Sequence, residues 1–343
     1  MTTLPQIVRD AFAVEEQGLD WRSGLAGAVA AVGPLAAGVA VDDPRIGFTA
    51  TIGALNTALV VPRAGIRARI FWGATALVGG CASAALSQLV ADRLWTLLVA
   101  TFLWVALWAF WRTCGRIGAL LGFATAAVFV ILSGLPATPS DTGQQVAWYA
   151  IGGAFGLVLM VAARRGPYAP PVGRAALAAY AACIRRDRSM AAHAGRLALA
   201  VTLGTLIDHL SAIHHGYWIP LTILAILQPD ERATTIRVIQ RAAGTLAAAA
   251  VILLITLVVD EPWLLLACGA VSAFGLYALD QRGYFWLVVL LTPTVLFMIS
   301  AIQFEGDEVA IERVANSMLG IAIGLAIGEL FWRGSRRRAT LPA

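Results

Sequence analysis

The amino-acid sequence predicts an all-α polytopic membrane protein, a helical bundle of about 12 transmembrane helices arranged as two parallel six-helix repeats. Hydrophobic residues make up 59% of the 343 positions, and the mean hydropathy is +0.78. The chain has 25 basic side chains, all of them arginines, and no lysine. Most of the arginines fall between apolar segments. Since a spanning helix needs about 20 apolar residues, this alternation is typical of a chain that crosses the bilayer many times.

The first six-helix repeat is predicted at residues 22–163, after a cytoplasmic lead-in at residues 1–21. The lead-in contains several acidic residues and lacks the apolar core of a cleavable signal peptide. The six spans of this repeat are predicted at 22–40, 46–61, 70–90, 94–110, 117–133 and 145–163. The second of them is short for a straight crossing of the bilayer.

A basic cytoplasmic linker is predicted at 164–195, where small apolar residues and clustered arginines suit a helix that lies on lipid headgroups. The second repeat follows at 196–332 and is succeeded by a basic cytoplasmic tail at 333–343. Its spans are predicted at 196–213, 217–229, 242–259, 263–279, 284–303 and 310–332. The short span at 217–229 contains Pro220, which is predicted to free a backbone carbonyl inside the helix.

The distribution of arginines predicts the orientation of the chain, because cytoplasmic loops keep an excess of positive charge. With the N-terminus in the cytoplasm, only Arg45, Arg93 and Arg313 of the 25 arginines fall on the outer side. Both termini are therefore predicted to be cytoplasmic, in a multi-pass protein of the plasma membrane. The four cysteines show no close pairing and predict no disulfide framework.

The two halves of the chain are predicted to be related as a repeat. An even number of spans in each half gives both halves the same orientation, with the symmetry axis along the membrane normal. The shift that superposes Arg67 on Arg237 also superposes Thr75 on Thr245, while a second register pairs Arg67 with Arg241. The repeat is thus indicated by the pattern of spans, with only an approximate register of residues.

Arg237 and Arg241 are candidate anion ligands at the cytoplasmic end of a span. Their spacing of four residues places both side chains on one face of a helix. Two guanidinium groups offer planar donor forks that match a carboxylate. The alternative is that both arginines reach lipid phosphates at the membrane surface.

Asp208 and His209 are candidates for proton coupling, because histidine titrates near neutral pH and a carboxylate lies beside it. The alternative is that these residues mark the water interface at the outer end of their span. His214 and His215 follow in the adjoining turn. No metal site is expected, because the histidines form no pair spaced by one helical turn and no cysteine joins them.

The stretch from Gly216 to Thr245 contains three motifs: Gly-Tyr-Trp-x-Pro-x-Thr, Gln-Pro-Asp and Thr-x-Arg-x-x-x-Arg-x-x-Gly-Thr. It resembles the fusaric acid resistance protein-like family of integral membrane transporters, which includes bacterial aromatic acid exporters. The resemblance implies efflux of organic, often aromatic, carboxylates. It implies substrate-binding positions at Trp218, Gln228, Arg237 and Arg241. The structural positions that it implies are Pro220, Pro229, Asp230, Gly244 and Thr245.

Several enzyme classes are excluded by the sequence. Without lysine the chain has neither the phosphate-binding lysine of a Walker A loop nor a Schiff-base nucleophile. The motifs of zinc metalloproteases, serine hydrolases and dinucleotide-binding folds are also absent from the sequence. We expect no catalytic residue and no cofactor.

The predicted function is secondary export of small organic carboxylate anions, driven by the proton gradient or by the membrane potential. The predicted partners are the lipid bilayer and the anion, with no nucleic acid, and a homo-oligomer or an accessory subunit stays open. Two alternatives remain at this point. One is a passive anion channel, and the other is a membrane scaffold in which the motif only packs helices.

Overall fold

The fold is built from α-helices joined by short connecting segments. The structure, a computed structural model, describes residues 4–13, 18–135, 142–211, 213–259, 261–280, 282–303 and 306–339, without the side chains at 4–5, 303–309 and 331–339. The helices in these ranges are α1 Leu4–Ala11, α2 Trp21–Ala40, α3 Pro44–Val60, α4 Ile66–Val90, α5 Leu94–Ala109, α6 Gly115–Gly134, α7 Thr142–Ala163, α8 Arg174–Arg186, α9 Arg188–Ser211, α10 Trp218–Ile226, α11 Glu231–Thr256, α12 Pro262–Ala278, α13 Tyr284–Gln303 and α14 Gly306–Ala339.

Aspartates cap the first turns of four of these helices, α2, α3, α9 and α11. Asp20 accepts a hydrogen bond from the Ser23 amide at 3.1 Å at the start of α2, and Asp43 caps α3 in the same way. Asp230 caps α11 by accepting from the Ala233 amide at 2.8 Å. Each carboxylate satisfies an amide that has no partner within its helix.

Eight helical segments of the described chain are long and apolar enough to cross a membrane, namely Trp21–Ala40, Ile66–Val90, Leu94–Gly134, Thr142–Ala163, Arg188–Ser211, Glu231–Thr256, Tyr284–Ile302 and Ala310–Leu330. The prediction of an all-α membrane protein is confirmed, whereas the total of about 12 spans stays a prediction. The segment Leu94–Gly134 contains two predicted spans, α5 and α6. A 3-10 helix at Phe110–Cys114 and a positive φ of 74° at Gly115 separate them.

The prediction that Pro220 frees a backbone carbonyl inside a helix is wrong. Helix α10 begins at Trp218 and has only 9 residues, so it rises by about 14 Å and the helix by itself is too short to cross the bilayer; the non-helical residues 227–230 continue it to the start of α11. Pro220 is its third residue, in the first turn, where backbone amides have no partner within the helix. The missing amide of this proline therefore frees no carbonyl. Pro34 in α2 and Pro293 in α13 are the prolines that lie inside helices of the described chain.

The helices pack in two sets. In the first half of the chain α3 packs against α2, α4 and α7, and α4 also packs against α6 and α7. In the second half α10 packs against α9, α11 and α14, and α11 also packs against α13 and α14. The two sets meet where α5 packs against α9 and where α2 packs against α12.

The segment predicted as a linker contains α8 and the first turns of α9. The Tyr180 hydroxyl of α8 donates to the Leu107 carbonyl at 2.9 Å, and its ring stacks on Trp111 at a centroid distance of 4.7 Å. Helix α1 packs against α11, where Gln240 donates to the Ala11 carbonyl at 2.8 Å. Both short helices are thus fixed to the bundle by side-chain contacts.

Close packing between α3 and α7 depends on glycine. A Cβ atom at Gly152 would lie 1.8 Å from the Ala50 carbonyl oxygen, so the two backbones touch at this point. We expect Gly152→Ala to lower the free energy of unfolding by about 1 to 3 kcal/mol, because the backbones must separate. The thermal unfolding midpoint of the purified protein in detergent measures the effect.

Gly195 in α9 provides the matched control, since a Cβ atom there would have no neighbour within 4 Å. We expect Gly195→Ala to raise the stability by up to about 1 kcal/mol through its higher helix propensity. Equal effects of the two substitutions would contradict a packing role for Gly152.

Candidate functional site

Two arginines lie buried inside the second half of the bundle. Arg241 of α11 is 4% exposed and Arg313 of α14 is 7% exposed. The two guanidinium groups are close enough for the charge of Arg241 to act on Arg313. No described acidic side chain forms an ion pair with either arginine. Arg241 Nε and Arg313 Nη1 have no hydrogen-bond partner among the residues that the structure describes.

Arg313 was assigned to the outer side by counting arginines, although it falls inside the predicted span at 310–332. The structure places it in the spanning segment Ala310–Leu330, with its side chain buried. The structure corrects only its placement in a loop, because Arg313 lies next to Glu312 near the start of α14 and its side chain is buried. Its assignment to the outer side stays a prediction. The signal that could have found Arg313 is a charged residue within an apolar span, which in membrane proteins marks a functional position.

Aromatic rings lie against the guanidinium groups of Arg313 and Arg237. The Arg313 guanidinium lies 4.9 Å from the ring centre of Trp218. Arg237 lies 3.9 Å from the ring centre of Tyr284, whose hydroxyl has no hydrogen-bond partner in the described chain. Tyr284 also acts electrostatically on Arg313. Arginine over an aromatic face is stabilised by the ring quadrupole, so these rings hold the guanidiniums without neutralising them.

Two hydroxyl groups share helix faces with the buried arginines. Thr245 follows Arg241 by one turn of α11, and Ser317 follows Arg313 by one turn of α14. Both side chains are completely buried. Their oxygens have no hydrogen-bond partner within the described residues. Hydroxyls buried in membrane helices usually bond to a carbonyl, so these two remain available as donors.

Gln228 lies at the other end of α10, at the junction between the two halves. It is buried and accepts a hydrogen bond from the Arg112 side chain of the first half. Arg196 donates to the Pro229 carbonyl at 2.8 Å. Arg112 also lies within electrostatic reach of Arg237. We call this end of the bundle, marked by Arg112, Arg116, Arg164, Arg196 and Arg237, the basic end.

Gly244 and Asp230 have structural contacts. A Cβ atom at Gly244 would lie 2.8 Å from the Val288 side chain, so this glycine lets α11 approach α13. Asp230 and Pro229 are both exposed, and Asp230 caps α11. These placements agree with a role in positioning the buried arginines rather than in contacting a ligand.

Asp208 and His209 line a cavity of about 150 Å³ at the end of the bundle opposite the basic end, together with Ser133, Thr205 and Pro220. Asp208 is partly buried and lies beside Gly216, where a Cβ atom would come within 2.0 Å of its Oδ1. His209 is exposed. The carboxylate and the imidazole thus reach the same water-accessible space.

A second cavity of about 40 Å³ lies at the basic end, and Arg112 and His193 contribute to its lining. Both cavities are lined by α5, α6, α9 and α10, where the two halves meet. The apolar core between these helices includes the fully buried residues Val201, Ile219 and Ile223. In this conformation apolar side chains fill the seam between the halves.

The basic end also contains an ion cluster that joins the two halves. Arg63 and Arg164 of the first half lie 2.7 and 2.8 Å from the carboxylate of Asp280 in the second half. Asp20 lies 3.5 Å from Arg63. Burial raises the pKa of Asp20, but hydrogen bonds from Ser23 and the charges of Arg63 and Arg164 outweigh it and hold the pKa below its usual value.

The lowered pKa of Asp20 predicts how this cluster responds to acid. A carboxyl with a lowered pKa in the folded state stabilises the protein above its unfolded value of 3.8 and loses that contribution as the pH falls through the folded value. We expect Asp20→Asn to reduce the difference in unfolding midpoint between neutral and acidic pH. An unchanged difference would show that Asp20 is not coupled to the cluster.

Part of this chain matches a known protein family. Residues 175–327 match the family model described as fusaric acid resistance protein-like, which confirms over this segment the resemblance inferred from the motifs. Inner membrane protein YccS of Escherichia coli is 31% identical over 140 residues, which cover 41% of this chain and 19% of that protein. The uncharacterized protein YhfK of Escherichia coli is 23% identical, and an uncharacterized protein of Haemophilus influenzae is 26% identical.

These two alignments each cover 41% of this chain and 20% of the relative. The match therefore extends over about a fifth of the length of these curated relatives. No solved structure matches the chain significantly.

Proposed function

Because residues 175–327 match the fusaric acid resistance protein-like family, we propose that this membrane protein is a secondary exporter of small organic carboxylates, preferentially aromatic ones. Arg241 and Arg313 bind the carboxylate, and the rings of Trp218 and Tyr284 face its aromatic body. The driving force is the proton gradient or the membrane potential.

The observation that carries this proposal is the buried pair of arginines without an acidic partner. Burying one charge in a membrane protein is costly, and two like charges near each other add repulsion. A carboxylate bound between them would offset one of the two positive charges, reduce their repulsion and accept hydrogen bonds from the unpartnered nitrogens. A carboxylate suits this place because its two oxygens match the guanidinium donor fork.

The aromatic surroundings support the choice of substrate class. Trp218 and Tyr284 lie on different helices, with the Trp218 ring against Arg313 and the Tyr284 ring against Arg237. Aromatic pairs prefer edge-to-face or offset arrangements, which add to the burial of apolar area. An aromatic carboxylate therefore gains contacts at both of its ends, whereas an aliphatic acid of similar size gains them mainly at the carboxylate.

The proposed direction of anion transport follows from the different charges at the two ends of the helix bundle. Arg237 and Arg112 at the basic end collect the anion, with Gln228 orienting Arg112. We place the basic end and both termini in the cytoplasm by the excess of arginine there. An anion that leaves the cytoplasm moves down the inside-negative potential, worth about 2.3 kcal/mol per charge per 100 mV. Asp208 and His209 at the opposite end exchange protons with the outer solution.

The arrangement proposed for the spans is two parallel six-helix repeats. Three of the packing partners of α3, namely α2, α4 and α7, correspond in order to three partners of α10, namely α9, α11 and α14, and both short helices also pack against α6. The contact of α5 with α9 corresponds to that of α12 with α2, as expected for a two-fold axis between the halves. This correspondence supports α3 and α10 as equivalent short elements.

Transport by the purified protein in liposomes tests the proposal. Radiolabelled benzoate and cyclohexanecarboxylate are compared at neutral pH, with an imposed pH gradient or potassium diffusion potential. A secondary exporter driven by protons accumulates benzoate above its electrochemical equilibrium, whereas one driven by the membrane potential equilibrates benzoate with a flux that saturates as its concentration rises. Both prefer benzoate to the cyclohexane acid. A channel equilibrates the label without saturation, and a scaffold gives the flux of empty liposomes, so either of these results would contradict the proposal.

A further inference from the structure

Two adjacent histidines and a distant glutamate meet at the end of the bundle opposite the basic end. His214 and His215 lie in the turn before α10, and Glu312 lies near the start of α14. His214 Nδ1 is 2.9 Å from Glu312 Oε1, and His215 Nδ1 is 2.8 Å from Glu312 Oε2. Each imidazole therefore faces a different oxygen of one carboxylate.

The three side chains offer a set of ligand atoms that suits a zinc-class ion. One ligand atom from each residue can be chosen so that all three lie within 4.8 Å of one another. Zinc binds imidazole nitrogen and carboxylate oxygen at about 2.0 to 2.2 Å in tetrahedral geometry. Two histidines and a glutamate also form a known type of zinc site that leaves the fourth position open. Only small side-chain movements would bring these atoms around one ion.

The surrounding structure holds the histidines in place. The Asn316 amide donates to the backbone carbonyls of His214 and His215 at 3.1 and 3.2 Å. His215 has a positive φ of 51°, in the left-handed region that costs free energy for residues other than glycine. Its side chain is only 8% exposed, and its ring stacks on Trp218 at a centroid distance of 4.9 Å. Such strain persists where surrounding contacts fix the backbone, which preorganises a site.

We propose that His214, His215 and Glu312 form a binding site for a divalent transition-metal ion of the zinc class. The two imidazoles and the carboxylate are its protein ligands, with Asn316 as the outer partner that orients the turn. The site is separate from the two buried arginines and does not depend on the transport proposal. Trp218 connects the metal site to the buried arginines, because its ring stacks on His215 and also contacts the guanidinium of Arg313.

The site was missed in the sequence because its ligands come from different elements. In the sequence, a metal site is recognised by ligands spaced one helical turn apart, and adjacent histidines do not lie on one face of a helix. Glu312 is separated from His214 by 98 positions, so only the packing of α14 against α10 brings it near.

Calorimetric titration of Zn²⁺ into the full chain, purified without a histidine tag, tests the site. We expect one equivalent of Zn²⁺ to bind to the wild type. Glu312→Gln and His215→Ala should each weaken binding by at least about tenfold, since each removes a ligand. His209→Ala is the matched control, because this histidine lies near the same end of the bundle and should leave the affinity unchanged. Cobalt should give the visible absorption of a tetrahedral complex in the wild type and lose it in Glu312→Gln.

A second measurement covers the case in which a variant fails to fold. Zn²⁺ should raise the thermal unfolding midpoint of the wild type, and a chelator should reverse the shift, because an ion that binds only the folded state stabilises it. The proposal is overturned by the absence of stoichiometric Zn²⁺ binding to the wild type. It is also overturned by equal affinities in folded Glu312→Gln and His209→Ala. Because metal affinity is measured without transport, these results are independent of the liposome experiment.

Discussion

Replacement of Arg241 by glutamine is expected to lower the rate of carboxylate transport by about a hundredfold, because loss of a buried charged hydrogen-bonding partner costs about 2 to 5 kcal/mol. The guanidinium is 4% exposed and is one of two cations proposed to hold the anion. Glutamine keeps a donor of similar length but loses the charge and the planar fork. Initial rates of benzoate uptake into liposomes measure the effect.

The same substitution is expected to leave the stability unchanged or to raise it. Arg241 has no acidic partner in the described chain and lies near the second cation, Arg313, so removal of its charge relieves desolvation and repulsion. Opposite signs for transport and stability distinguish a ligand-binding arginine from a structural one. A parallel loss of both would contradict the proposed role.

Arg232→Gln in the same helix is the matched control. Its side chain is 53% exposed and pairs with Asp10 at 2.5 Å. Exposed ion pairs contribute at most about 1 kcal/mol, so this variant should transport at nearly the wild-type rate. Arg313→Gln should resemble Arg241→Gln. The double variant should lose less than the product of the two single effects, because both arginines act on one ligand.

Replacement of Asp280 by asparagine is expected to lower the free energy of unfolding by about 3 kcal/mol, because it leaves two arginines without their shared carboxylate. Arg164 is the more buried of these two, with its side chain 3% exposed, and Arg63 is partly buried. Both come from the first half of the chain and Asp280 from the second. The contact between the halves at the basic end should therefore loosen.

Thermal unfolding in detergent and limited proteolysis of the segment around α8 measure this effect. Asp10→Asn is the matched control, because it breaks an exposed ion pair at the same end of the bundle. The exposed pair should contribute at most about 1 kcal/mol. Equal destabilisation by the two substitutions would show that Asp280 does not hold the halves together.

Much of the helical framework could be predicted from local sequence. The spans expected at 70–90 and 284–303 correspond to α4 Ile66–Val90 and α13 Tyr284–Gln303. Their boundaries depend on apolar composition and flanking polar residues, which are local properties. The span expected at 217–229 was wrong in its length. Its helix begins only after the turn in which His215 adopts a positive φ, and that conformation is held by Asn316 of another helix.

The candidate site was only partly accessible from the sequence. The family motif pointed to Trp218, Arg237 and Arg241, whereas Arg313 entered the sequence analysis only as one of three arginines on the outer side. Its burial depends on α14 packing against α10 and α11. Local sequence contains no information on which distant helix faces a given charge.

By itself, the sequence determined that this chain is an all-helical membrane protein, because transfer into lipid depends on the composition of each segment, and its motifs indicated the segment that matches the fusaric acid resistance protein-like family. The tertiary structure alone decided which charges have partners. It pairs Arg63 and Arg164 with Asp280, leaves Arg241 and Arg313 together without a carboxylate, and brings Glu312 to the histidines. Interactions between charges depend on distances between residues far apart in the chain, and only helix packing fixes those distances.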